Sequence, residues 1–221
     1  MNRPRKILTV IALVGLWALA AGSSTASATS CPNTDVQVTG LDETQMESSI
    51  LCLINEDRTS YGLQPVSPNA SLRQAALSHS NDMVDNGYFE HTSPTGVTFI
   101  DRIQATGYMK PARTWVVGEN LVWGTGPLST PNALVTAWMN SPPHRENLLR
   151  PSFREIGIAA VPGTPESQTD MTGVTVSSEY GYRTFAKGHG KARKASRGKA
   201  RKAKARKLRR LHKHRKHRRT H

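Results

Sequence analysis

Asn69-Ala70-Ser71-Leu72-Arg73-Gln74-Ala75-Ala76-Leu77-Ser78-His79-Ser80-Asn81-Asp82-Met83-Val84-Asp85-Asn86-Gly87 carries the least ambiguous pattern in the chain. Leu72, Ala75, Ala76, His79 and Met83 recur at helical spacing, Asn69 and Ser71 are capping candidates ahead of them, and Asn86-Gly87 is a stop. The segment therefore predicts a helix with one apolar face. Upstream, Met46, Ile50, Leu53, Ile54 and Tyr61 repeat the spacing until Gly62, which predicts a helix over about 42–61. Downstream, a Pro94-Thr95-Gly96 turn precedes a short helix around Phe99–Ile103. A further helix runs from Asn132 and stops near Ser141, because Pro142 and Pro143 follow; a loop then carries His144. The surface these helices need is supplied by Ile156–Val161 and Val174-Thr175-Val176, short β-branched runs bounded by Gly or Pro. The expected class is α+β, an antiparallel sheet with helices against it, and no internal repeat is visible.

Before this domain, Arg3, Arg5 and Lys6 lead an apolar run from Ile7 to Gly22 that ends near Ala26-Ser27-Ala28. That order is a secretory signal peptide over residues 1–28, with an uncleaved anchor as the alternative. Both cysteines, Cys31 and Cys52, lie beyond the cleavage point in an oxidising compartment and are expected to pair. Closing that loop stabilises the fold by roughly 3 kcal/mol in the chain-entropy model and pins an N-terminal arm (29–40) to the first helix. Lipidation of Cys31 is the competing idea; Ala28-Thr29-Ser30 lacks the Leu usual there, and Cys52 would be stranded.

The net charge of +14 joins two opposed parts. Residues 187–221 hold 18 Lys plus Arg and no acid, whereas residues 29–186 hold 9 Lys plus Arg and all 16 Asp plus Glu. Residues 41–186 are long enough for a single domain. The basic segment lacks the apolar residues to offset ordering entropy and is expected to be disordered. As a polyanion binder it acts by counterion release rather than by reading bases, so sequence-specific nucleic-acid recognition is not expected. Its candidate partners are anionic cell-envelope polymers, an anionic lipid surface, extracellular nucleic acid or the acidic domain itself.

Three polar signatures stand in the domain: Phe89-Glu90-His91-Thr92-Ser93-Pro94, Gly118-Glu119-Asn120-Leu121, and Ala137-Trp138-Met139-Asn140-Ser141-Pro142-Pro143-His144-Arg145. Each presents an imidazole or carboxylate from a turn or element end. Two imidazoles and one carboxylate are the ligand set of a catalytic-type zinc site. Their separation fits no compact metal motif, so a structural hydrogen-bond network stands as the alternative. His79, on an apolar helix face, reads as a hydrogen-bonded core histidine. Ser93 and Ser141 read as turn or cap residues, since neither sits in a Gly-x-Ser-x-Gly elbow. Asn120 reads as a backbone satisfier, Trp115, Trp123 and Trp138 as core, and Glu56-Asp57 and Asp82/Asp85 as solvated helix faces.

In this order the signatures resemble the CAP superfamily of cysteine-rich secretory, antigen 5 and pathogenesis-related proteins, and most of all its bacterial SCP-like extracellular branch. The likeness spans about Ser49 to Phe185 and includes Leu53-Ile54-Asn55, Ala76–Met83 and Ile156-Gly157-Ile158. It implies a three-layer α-β-α sandwich and a cavity whose two histidines and two glutamates hold zinc or another divalent metal. By motif, His91 matches the first histidine, Glu119 the glutamate of Gly-Glu-Asn-Leu, and His144 the second histidine. The second glutamate falls on Ser141, which with Asn120 would line the cleft. Two functions follow: a non-enzymatic extracellular module, held at the envelope by its tail, that binds a ligand or lipid in its cleft, or a metal-dependent extracellular hydrolase of peptide, ester or phosphodiester bonds. Fold alone does not choose between them.

Overall fold

The computed structural model describes residues 31–166 and 172–186, so the expected signal peptide and the basic tail lie outside the described residues. Along the chain come α1 (Glu43–Ser60), β1 (Ser67–Pro68), α2 (Ala70–Asn86), α3 (Phe99–Ala105), β2 (Thr114–Thr125), α4 (Pro131–Asn140), α5 (Pro142–Leu148), β3 (Glu155–Pro162) and β4 (Gly173–Thr184). Asp42 starts α1 through a reciprocal capping box with Gln45. Asn69 starts α2, its Oδ1 accepting from the Ser71 and Leu72 amides, and Gly87 ends it in the left-handed conformation with φ 65°. Ser71 thus lies inside the helix.

The strands form one sheet in the order β1-β3-β4-β2. The pairs β3–β4 and β4–β2 are antiparallel as expected, but the short β1 runs parallel to β3, so the sheet is mixed. One sheet face packs Ile156, Ile158, Val174, Val176 and Tyr180 against Met46, Ile50 and Ile54 of α1 and Leu134 and Trp138 of α4. The other helix layer is built on Leu72 and Ala75 of α2, Ile103 of α3, Tyr108 and Met109, with Val117 of β2 packed against them. This is the α-β-α sandwich. Helix α2 lies so close to the sheet that a Cβ on Gly157 would sit 2.0 Å from the Arg73 nitrogen; only glycine allows that approach.

The loop expected around His144 is a correction. Pro142 and Pro143 do end α4, but a proline is also well suited to a first helical position, where its missing N–H has no partner to lose. They open α5, and His144 sits in its first turn. A second correction concerns Trp115, which is 42% exposed rather than core; Trp138 is buried and donates its indole N–H to Leu121 O at 2.9 Å. The Cys31–Cys52 disulfide is present. It holds an arm that itself enters the core through Val38 and bonds Asn132 N to Thr34 O at 2.9 Å. Among the described residues no helix is long and apolar enough to cross a membrane.

Arg58 sets the position of α5. Fully buried near the end of α1, it donates to the carbonyls of Gln64, Leu148, Arg150 and Phe153 and so satisfies the C-terminal end of that short helix.

Candidate functional site around Glu119

Glu119 and Asn120 lie in the middle of β2, not at a turn or element end as expected. The polar pair interrupts the apolar run on either side, which hid a continuous twelve-residue strand. Because neighbouring strand residues face opposite sides, the two side chains serve different layers. Asn120 donates through Nδ2 to His144 O at 2.9 Å and accepts at Oδ1 from Asn147 Nδ2 at 3.0 Å, tying α5 to the strand. It is a backbone satisfier, as read from the sequence.

Glu119, 4% exposed, turns towards α2 and α3. Its Oε1 lies 2.7 Å from His91 Nδ1, and its Oε2 accepts from Arg102 of α3 at 2.6 Å. Arg102 also donates to His91 O and Val97 O, both at 3.1 Å, and so anchors the turn that presents His91. Directly opposite Glu119 in the β2–β4 register is Glu179, fully buried. No donor in the described structure reaches either Glu179 oxygen. Glu179 interacts with the Glu119 carboxylate, and two carboxylates can bond only by sharing a proton.

The electrostatics follow from that arrangement. Burial, reinforced by the Glu119 charge, pushes Glu179 well above the usual carboxylate range. Burial acts in the same direction on Glu119 but is outweighed by hydrogen bonds from His91 and Glu179 and by the Arg102 charge, leaving it below that range. The hydrogen bond to Glu119 raises His91, whose side chain is 53% exposed. His144 is lowered, first by burial and then by the nearby His91. His79 is lowered by burial and bonds through Nε2 to Glu90 O at 2.9 Å, a core histidine as its periodicity implied.

The structure therefore brings His91 and Glu119 together and places His144 within electrostatic reach of His91. The ligand atoms of the three do not all lie within 4.8 Å of one another. Among the described residues, the one group of three or more His, Cys, Asp or Glu with ligand atoms mutually within 4.8 Å is Cys31, Cys52 and Glu56, two of which are already a disulfide. Ser141 occupies the N-cap position of α5 without a side-chain capping bond. Ser93 Oγ accepts from Val97 N at 3.1 Å, a turn role. Asp82 is not a free surface acid, since Tyr88 donates to it. Beside Arg102 opens a polar cavity of about 490 Å³ lined by Ser78, Asn81, Asp82, Asp85, Ser93, Thr95 and Val97.

Arg102 and Glu179 were missed by sequence reasoning. Arg102 was absorbed into a short helix. Glu179 carries a usable signal, as the lone acid amid the mostly small and β-branched residues of Val174–Tyr180, but the β-branched run that marks the strand ends at Val176, whereas the strand continues to Thr184.

Comparison with known proteins agrees with this architecture. A family model described as the cysteine-rich secretory protein family, CAP, matches residues 51–180. The Bacillus subtilis (strain 168) protein YkwD is 36% identical over 115 residues, which is 52% of this chain and 42% of YkwD. The membrane protein YlbC of the same organism is 31% identical over 118 residues, 52% of this chain and 32% of YlbC. The chain thus spans less than half the length of these relatives. An outer surface protein from Borrelia burgdorferi superposes with a TM-score of 0.53 at 24% identity, over 65% of this chain and 97% of that one.

Proposed function

The chain belongs to the cysteine-rich secretory protein (CAP) family, and from that premise we propose that it is an exported, non-enzymatic binding module. The polar cavity beside Arg102 takes a small polar ligand, and the basic tail holds the domain at the cell envelope. The observation that carries the cleft reading is the engagement of both Glu119 oxygens: one is bonded to His91 and the other to Arg102. A guanidinium at hydrogen-bonding distance opposes a divalent cation, and a Glu179 that keeps its proton offers a weak ligand. His144 does not close the set. As arranged, Glu119 is not free to serve as a ligand shared with His91 and His144.

What they do fit is recognition. Arg102 and Glu119 hold His91 half-exposed with Nε2 free of Glu119, and the raised pKa favours its protonated form, a donor towards an incoming acceptor. Hydroxyl, amide and carboxylate groups of the adjoining cavity supply further partners. The geometry favouring the second reading, a hydrolase, is the carboxylate–histidine pair itself, which orients an imidazole as in general-base catalysis. The same pairing, however, works against the neutral imidazole that a base needs near pH 7.

Metal analysis of the mature protein purified without chelator, for wild type and His91→Ala, tests the cleft. We expect no stoichiometric ion in either; a stoichiometric ion lost on substitution overturns the reading and restores the metal site. Export rests on the N-terminal pattern and the disulfide, and retention on the tail's 18 cations without an acid. If about ten of those cations meet a linear polyanion such as DNA, log affinity falls against log salt with a slope near −9. Truncation after residue 186 is expected to abolish most retention while leaving the unfolding transition intact.

A further inference from the structure

At one end of the β2–β4 pair apolar side chains are exposed. Trp115 and Val116 of β2 are 42% and 37% exposed, and Tyr182 of β4 is 36% exposed. In register Val116 lies opposite Tyr182 and Trp115 opposite Arg183. Val116 and Tyr182 therefore share one sheet face while Trp115 shows on the other, so the apolar surface wraps around the strand end.

Charge gathers at the same end. The domain is acidic as a whole, yet Lys110, Arg113, Arg154 and Arg183, four of the nine Lys and Arg of residues 29–186, flank this tip. Arg113 N bonds Thr184 O at 2.8 Å, and Arg154 N bonds Gly181 O at 3.0 Å. Lys110 lines a recess with Arg183 and Phe185. The acid there, Glu155, is neutralised by Arg183 at 3.0 Å and also accepts from Tyr108 and Asn69. Lys110, Arg113 and Arg154 are exposed. The chain then leaves Thr184, opposite Thr114, and enters the basic segment that starts at Lys187.

Aromatic side chains beside cations, with the acid already paired, are what the interface of an anionic bilayer selects: indole and phenol rings settle at headgroup depth while Lys and Arg meet the phosphates. A polymer such as DNA or a polyphosphate would use the cations and has no apolar depth to receive Val116. The geometry points to the Trp115–Val116–Tyr182 tip as an insertion surface for an anionic lipid bilayer, with Lys110, Arg113 and Arg154 as its headgroup contacts. This rests on the envelope-retention reading and names the lipid surface as the partner; the tip engages the bilayer and the tail raises the local concentration of the domain at it.

The test uses the mature chain, its truncation after residue 186, and vesicles of phosphatidylcholine with or without phosphatidylglycerol. In full-length protein, Trp115→Ser with Tyr182→Ser is expected to weaken partition into anionic vesicles about tenfold and to leave retention on immobilised DNA unchanged. Lys110→Gln and Arg113→Gln each weaken vesicle partition about fivefold. Trp115 fluorescence shifts to the blue on anionic vesicles and is quenched by brominated acyl chains, with Trp115→Phe as the blank. An unchanged unfolding midpoint, and retained partition in Trp115→Phe with Tyr182→Phe, show that lost binding is not lost folding. Partition insensitive to the serine pair overturns the tip, as does an equal loss on DNA. The truncated domain separates the two claims: if it still partitions in a Trp115-dependent way while full-length protein shows no tail-dependent retention, the tail reading fails and the tip stands.

Discussion

Two arginines are buried in this domain, one on each side of the sheet, and they are accommodated in different ways. Arg58, on the α1 side, is surrounded by carbonyl oxygens of Gln64, Leu148, Arg150 and Phe153. Arg102, on the α3 side, faces the Glu119 carboxylate, which in turn meets Glu179 and His91. Neutral dipoles hold a cation in one geometry and exchange nothing. A carboxylate cluster holds it too, but contains protons that can redistribute. Arg58 is thus a fastener that positions α5, whereas Arg102 is part of an ionisable assembly that ends in an exposed imidazole.

Substitutions sharpen that contrast. The largest effect is expected from Arg102→Leu, which leaves the buried Glu119 short of its cation and should destabilise the domain by about 3–5 kcal/mol, read by chemical denaturation near pH 7. A smaller loss, about 2–3 kcal/mol, is expected from Arg58→Leu, because the stranded carbonyls are uncharged and water can reach some of them. Equal losses for the two, or a strongly pH-dependent loss for Arg58→Leu alone, would break the comparison.

Glu179→Gln tests the shared proton and is expected to stabilise. An acid with a folded pKa raised above its unfolded value keeps a proton that the unfolded chain releases, so stability falls as pH climbs from the unfolded value to the folded one. Removing the titration should leave the variant close to wild type at about pH 4 and ahead of it by about 1 kcal/mol at pH 7, or about 2–4 °C in midpoint. A variant less stable than wild type at pH 7 would mean that Glu179 is ionised and held by a cation. The smallest effect belongs to His91→Ala. Its raised pKa means that its contribution is present in full below the unfolded value, near 6.5, and disappears as pH rises through the folded one. Because the ring is half-exposed, the loss at pH 5 should stay below about 1 kcal/mol and vanish in alkaline buffer.

Helices α1, α2 and α4, their stops at Gly62, Gly87 and Pro142, and the β3 strand were legible in the sequence because each is decided within one turn or one strand's length by apolar spacing and capping chemistry. The disulfide was legible from cysteine count and context. Local rules misled where one residue type serves two roles: Pro142 both ended α4 and opened α5, so His144 was expected on a loop.

The assembly around Glu119 was only half legible. By itself the chain determined which residues can ionise, that its acidic domain and basic tail are segregated, and that His91 and Glu119 stand in signatures that resemble those of the CAP family. Tertiary structure alone decided that Glu119 pairs with Arg102, that Glu179 faces it across β2 and β4, and that Arg58 needs no carboxylate. Which partner a charge meets depends on strand register and helix placement between residues up to 95 positions apart. Those contacts form through burial of a core whose periodicity says which face turns inward, and not what waits there.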